Sequence, residues 1–242
     1  MNTLTKTLTN EQAVGKNELH LCWLTDTLAV HHNVVTPWKH MAALAKKSGI
    51  TLAIASGYRG FDRQLHIWNR KFSGEVAVKD HNNTCVNMAQ LSDTEKVMAI
   101  LTYSALPGAS RHHWGTDIDV YAPNLLLKDQ QLQLEPWEYQ SQGYFFKLSE
   151  WLQQHAINFG FSFPYLYDQG GVAIEPWHLS FSDTAQQFQQ TLTLPLLAQV
   201  IEASNIGGKA AILANLDVIY RQYVTNICEA TTVQKMNKDK NG

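Results

Sequence analysis

The chain has 242 residues, 45% of them hydrophobic, and a formal charge of −2. That is enough apolar material for one sizeable domain, or for a domain with an appendage. So even a charge balance excludes the clustered basic face of a nucleic-acid or membrane-surface protein. No run of about eighteen apolar residues exists, so no membrane span is expected. The opening MNTLTKTLTNEQAVGKNELH has no apolar stretch of the signal-peptide kind, so the default expectation is the cytoplasm, with the cell envelope open to a chain that is clipped or exported another way. Cys22, Cys85 and Cys228 are too far apart for a disulfide framework or a Cys zinc site, and are expected as buried free thiols.

Residues 1–18 read as a loose lead-in. TPWKHMAALAKKS (36–48) opens on Thr-Pro and repeats its apolar residues at helical spacing, which predicts a helix from about Pro37. ITLAIASGY then predicts a strand ending at Ser-Gly. FDRQLHIWNRKF returns to helical spacing, with Phe61, Leu65 and Trp68 on one side. Residues 73–90 are polar and irregular, and SDTEKVMAILTYSAL predicts a helix capped by Ser92 or Asp93 with Glu95 in its first turn. YFFKLSEWLQQHAINF predicts an amphipathic helix, and GFSFPY and GGVAIEPWHLSF predict strands around a turn. From residue 184 on the pattern is helical, with a joint at Gly207-Gly208 and no catalytic cluster; the tail KMNKDKNG reads as a frayed terminus. Helices and short strands mix without regular βαβ alternation, so the expected class is α+β.

Three clusters carry chemistry. In SRHHWGTDIDV (110–120), a histidine in a loop and an aspartate on the following strand can supply two ligands to a catalytic zinc, which needs about three and an open position. Gly115 permits a sharp turn between them, and period-2 alternation puts Asp117 and Asp119 on one strand face. Spacing alone leaves either histidine and either aspartate open; the bland alternative is a polar loop running into a strand. In EPWH (175–178), a carboxylate sits in an apolar stretch, where it is costly unless paired or functional. Pro176 keeps Glu175 extended and removes a ladder donor, which predicts an edge or bent strand. His178 can complete a His, Asp, His set, with Glu175 as a general base beside the metal-bound water. In SGYRGFDRQ (56–64), Arg59 closes a predicted strand, where it can offset an oxyanion or hold a substrate carboxylate.

SGYR at 56–59, SRHHWGTDID at 110–119 and EPWH at 175–178, in this order, resemble the VanY-like D-alanyl-D-alanine carboxypeptidases, zinc peptidases grouped with lysostaphin-type enzymes and the hedgehog domain. The resemblance covers residues 35–182, leaving 1–34 as a lead-in and 183–242 as a C-terminal helical extension. It implies a small antiparallel sheet with flanking helices. It also implies that zinc is held by His112, Asp119 and His178, that Glu175 is the catalytic carboxylate, and that Arg59 stabilises the transition state. Ser110 would help to hold the substrate, Gln64 would line the same cleft, and the partners would be peptidoglycan stem peptides or muropeptides.

The chain departs from the family pattern in three places. Asp117 stands where a small residue is usual, GFSFPY lacks an arginine, and Leu179 and Ser180 follow EPWH where an aromatic-arginine pair is common. The implied activity is zinc-dependent removal of a terminal D-alanine. The alternatives are a peptidoglycan endopeptidase and a non-catalytic zinc module, and retained Glu175 and Arg59 speak against the latter. An iron(II) oxygenase usually writes H-x-D, and the residue two before Asp119 is Asp117. The other histidines are expected as ordinary surface or core residues, and Trp114 and Trp177, beside the ligand positions, are expected to pack the walls of the site.

Overall fold

The computed structural model describes residues 8–228, so the tail expected to fray lies outside the described residues. No helix among them is long and apolar enough to cross a membrane. The N-terminal segment is structured from residue 10, where α1 (Asn10–Ala13) carries a reciprocal cap. Thr9 Oγ1 accepts from the Gln12 amide, and the Gln12 side chain accepts from the Thr9 amide. A hairpin of β1 (Leu21–Trp23) and β2 (Ala29–His31) follows. Strands of three residues carry too little alternation to stand out in a sequence.

α2 (Val35–Lys47), β3 (Ala53–Ser56), α3 (Phe61–Phe72) and α4 (Asp93–Leu101) fall where the pattern places them. Ser92 caps α4 with Glu95 in a capping box. β4 (Asp117–Tyr121), α5 (Phe146–His155), β5 (Phe161–Ser162) and β6 (His178–Phe181) complete the central region. Two expectations are corrected. GFSFPY yields only a two-residue strand. GGVAIEPWHLSF is a strand only from His178, because Glu175 to His178 form a turn closed by the His178 amide donating to the Glu175 carbonyl at 3.1 Å. Pro176 therefore costs no ladder bond, and β6 is an interior strand rather than an edge.

The four-stranded sheet runs β3-β4-β6-β5, all pairs antiparallel. Its two faces follow directly from the alternation in TDIDV. Ile118, Val120 and Leu179 turn to one side, where Met41 and Ala45 of α2 and Leu148 and Leu152 of α5 cover them. Asp117, Asp119, His178 and Ser180 turn to the other. Each fully buried aliphatic of that size contributes roughly 1.5–3 kcal/mol, so the apolar face fixes the register that places the polar one.

After β6 come α6 (Ser182–Thr191), α7 (Leu194–Glu202), α8 (Lys209–Ala214) and α9 (Leu216–Ile219). They share a second core with α3 and α4, in which Trp68, Phe188, Leu197, Ile201 and Ile212 are buried together. Trp68 Nε1 donates to the Gly207 carbonyl at 3.0 Å, tying α3 to the glycine joint. Of the three thiols, all free, Cys228 is buried, Cys22 is intermediate and Cys85 is exposed, which corrects the expectation of uniform burial. Cys85 lies in the polar 73–90 stretch, paired with Lys79 in an isolated bridge and away from either core.

The hairpin buries His20 and His31 against Phe188 of α6, with ring centroids 5.3 and 5.7 Å away. Burial, reinforced for both by the charge of His32, lowers His20 to about 4 and His31 to about 3. Both stay neutral in the folded chain, whereas the unfolded chain protonates them below their ordinary value of 6.5. Their contribution to stability is thus present above pH 6.5 and is lost as pH falls toward 4. Thermal melts between pH 7 and 4 should show Tm falling across that window, and His20→Leu should flatten the slope; an unchanged slope would contradict this.

Candidate active site

His112 sits in a 3-10 turn, Arg111–Trp114, that ends at Gly115. Gly115 adopts φ 66°, and a Cβ there would lie 2.7 Å from the His31 amide nitrogen, so only glycine fits between the turn and β2. The turn delivers His112 to the polar face of β4. In the ladder, Asp119 lies opposite both Ser56 of β3 and His178 of β6, and Asp117 lies opposite Ser180.

The geometry separates residues that spacing left equivalent. Both ring nitrogens of His113 are engaged: Nδ1 bonds the Arg59 carbonyl, and Nε2 accepts from the Gly108 amide at 3.0 Å. His112 uses only Nδ1, at 2.8 Å from the Gly57 carbonyl, leaving Nε2 facing Asp119 Oδ2 at 3.3 Å. Asp117 is fully occupied. Its Oδ1 accepts from Arg111 Nε at 2.7 Å and meets His178 Nε2 at 3.0 Å, while Oδ2 accepts from Thr116 and Ser180 hydroxyls. Asp119 Oδ1 is buried with no hydrogen-bond partner among the described residues, 3.4 Å from His178 Nδ1.

His112, Asp119 and His178 thus each offer one ligand atom, all within 4.8 Å of one another. Asp119 sits between the two rings, its Oδ2 3.3 Å from His112 Nε2 and its Oδ1 3.4 Å from His178 Nδ1, so the three side chains can close on one ion. An orphaned carboxylate oxygen, the Nε2 of a neutral His112 and the Nδ1 of His178, which Glu175 now meets, are the donor types that zinc takes, so the residues fit a zinc ion.

Burial opposes a charge on His178, but its hydrogen bonds to Asp117 and Glu175 outweigh burial and raise it to about 10, so a bound ion must displace a proton from Nδ1. Burial above all, with Glu175 and Asp117 adding to it, pushes Asp119 up to about 7 against the pull of His178 and Arg59. Burial, with Arg59 and His178, drives His112 well below its ordinary value, so it is a neutral imidazole able to ligate. Burial opposes ionisation of Asp117 too, but Arg111 and His178 outweigh it and hold that carboxyl well below the usual range.

Asp117 therefore acts on the site through His178, fixing the ring so that Nδ1 faces Asp119. Ser180, at a position where the family pattern often has an arginine, accepts from Arg111 Nη2 at 2.7 Å. Asp117→Ala should weaken metal binding about 10- to 100-fold, the usual cost of losing such a support. A competitive chelator titration checks this, and wild-type affinity in the variant would contradict it.

Glu175 Oε2 lies 3.1 Å from His178 Nδ1. It shares a cavity of about 320 Å³ with the three candidate ligand residues, Arg59 and Ser110. Arg59 is held by Gln64 Oε1 at 3.0 Å and Ser56 Oγ at 3.3 Å, with its amide on the His112 carbonyl at 3.0 Å. Gln64 is fully buried and also donates to the Ala105 carbonyl, so it reaches the site by holding Arg59, not as cavity wall. Trp177 lines the cavity, whereas Trp114 packs in the helical core, its Nε1 donating to Ala13. Sequence reasoning missed Lys71, Ser104 and Tyr165, which also line the cavity. For Lys71 a signal existed: it lies seven residues after Gln64 on α3, two helical turns along the same face.

A family model described as VanY, D-alanyl-D-alanine carboxypeptidase, matches residues 27–184. An uncharacterized protein of Haemophilus influenzae is 40% identical over 125 residues, covering 51% of this chain and 95% of its own. The solved structure of VanYB in complex with D-alanine-D-alanine shares the fold at 19% identity and a TM-score of 0.50, covering 78% of this chain and 92% of that one. A VanY from a VanB-type resistance cassette, solved with Zn(II), is 20% identical with a TM-score of 0.48 over 73% of this chain and 88% of that one.

Proposed function

The chain belongs to the VanY family of D-alanyl-D-alanine carboxypeptidases, and on that footing we propose that it is a zinc-dependent carboxypeptidase that removes a terminal D-alanine from peptidoglycan stem peptides. The observation that carries this reading is the polar face of β4 and β6. Three candidate ligand atoms converge there, one of them a buried carboxylate oxygen with no hydrogen-bond partner among the described residues, and Glu175 lies beside them.

His112, Asp119 and His178 would hold the ion, which when bound supplies Lewis-acid polarisation of the scissile carbonyl and a water acidified to a pKa of about 7. The chain's own residues do the rest. Glu175 takes one proton from the attacking water as its oxygen bonds the carbonyl carbon. It then gives that proton to the leaving nitrogen as the carbon–nitrogen bond breaks. Arg59, fixed by Gln64 and Ser56, offsets negative charge on the tetrahedral oxygen. Trp177 and Tyr165 wall the cavity and limit competing water.

Mass spectrometry of stem pentapeptide and tetrapeptide incubated with the zinc-loaded protein tests the proposal. Loss of one alanine from the pentapeptide is expected. Cleavage of the tetrapeptide alone would reassign the enzyme to the LD class, and cleavage only inside crosslinked peptides would make it an endopeptidase.

A further inference from the structure

Four cationic side chains line the cavity: Arg59, Lys71, Lys79 and Arg111. Two are already neutralised, Arg111 by Asp117 and Lys79 by Glu135. Arg59 and Lys71 have no carboxylate within ion-pair distance among the described residues. Arg59 is fixed beside His112 and suits an oxyanion. Lys71 lies in the last turn of α3, and its Nζ donates to Ser104 Oγ at 2.7 Å. A cation sheltered from water with only a hydroxyl for company is unfavourable unless an anion arrives to pair with it.

Building on the carboxypeptidase reading, we propose that Lys71 and Ser104 form the recognition point for the free carboxylate of the amino acid that leaves. Hydrolysis of a terminal residue presents two anionic oxygen centres, the tetrahedral oxygen and the terminal carboxylate, and the cavity has two unpaired cations to meet them. Lys71 and Ser104 line the same cavity as Glu175, the carboxylate that delivers a proton to the leaving nitrogen. The α-carboxylate of the departing residue is one carbon from that nitrogen. Burial first, then Arg59, lowers Lys71 from its usual value, as expected of an ammonium whose partner comes with the substrate. An endopeptidase has no use for this group, since the chain continues past the leaving nitrogen.

The test compares kcat/KM on a pentapeptide ending in a free acid with the same peptide ending in an amide. Wild type should prefer the acid strongly. In Lys71→Met the acid-to-amide ratio should fall about 10- to 100-fold, the range for a charge-assisted hydrogen bond to a carboxylate. Lys71→Arg should recover part of it, and Ser104→Ala should lower it by a smaller factor. A ratio unchanged in Lys71→Met, or equal losses on both peptides, would overturn the assignment. Should Lys71→Met fail to fold by its thermal melt, the ratio in Ser104→Ala decides. A wild-type protein that cleaves neither peptide would sink the carboxypeptidase reading separately. The Lys71 assignment would then rest on calorimetric binding of D-alanyl-D-alanine, supported by about tenfold weaker binding in Lys71→Met and refuted by equal binding.

Discussion

Glu175→Gln will lower turnover by about a thousandfold while the protein keeps its metal. The magnitude follows from the 10²–10⁴-fold range of positioned general acid–base groups. The amide has nearly the shape of the carboxylate and can still meet His178 Nδ1, where Glu175 Oε2 now lies at 3.1 Å. It cannot accept the proton of the attacking water. Glu175 is not among the three ligand residues, so metal content should stay at one equivalent. Steady-state alanine release together with elemental analysis reads both quantities. A variant of wild-type rate would remove Glu175 from the mechanism, and one that lost its metal would make it a ligand instead.

Two adjacent histidines should behave as opposites. His112→Ala will lose both metal and activity, because its Nε2 is one of the three donor atoms. His113→Ala will keep the metal and lose stability. Its Nε2 accepts the buried Gly108 amide, whose desolvation without a partner costs roughly 1–3 kcal/mol. Its Nδ1 also pins the carbonyl of Arg59, so some activity should go with the stability. Gly15 at φ 77° packs directly on the His113 ring, where a Cβ would lie 2.4 Å from Nδ1. This fit is made to that imidazole and offers no room for a metal. Zinc content and thermal melts of the two variants separate the roles; a His113→Ala protein without zinc and a His112→Ala protein with it would reverse the assignment.

The helices around the site were legible wherever apolar spacing was regular. FDRQLHIWNRKF matches α3 end to end, and the Ser92–Glu95 cap marks the start of α4. The alternation of TDIDV foretold that Asp117 and Asp119 share a face, and the structure gives them one neighbour in common, His178. What separates the two is which oxygens already have donors. Those donors come from Arg111, Thr116 and Ser180 across a ladder register that no local pattern encodes. GGVAIEPWHLSF misled because its apolar run continues through a turn, which Pro176 favours as readily as a bend in a strand. The hairpin at 21–31 escaped notice because its strands have three residues each. Lys71 escaped for another reason. A lysine in the last turn of a helix ordinarily serves the helix dipole in solvent, and only the contact with Ser104 turns it inward.

Metal dependence is the claim on which the rest stands, and chelation tests it most directly. Protein stripped of metal should release no alanine from a stem pentapeptide, and one equivalent of zinc should restore the rate in wild type but not in His112→Ala. Stripped protein that hydrolyses the peptide at the full rate would contradict the account at its centre.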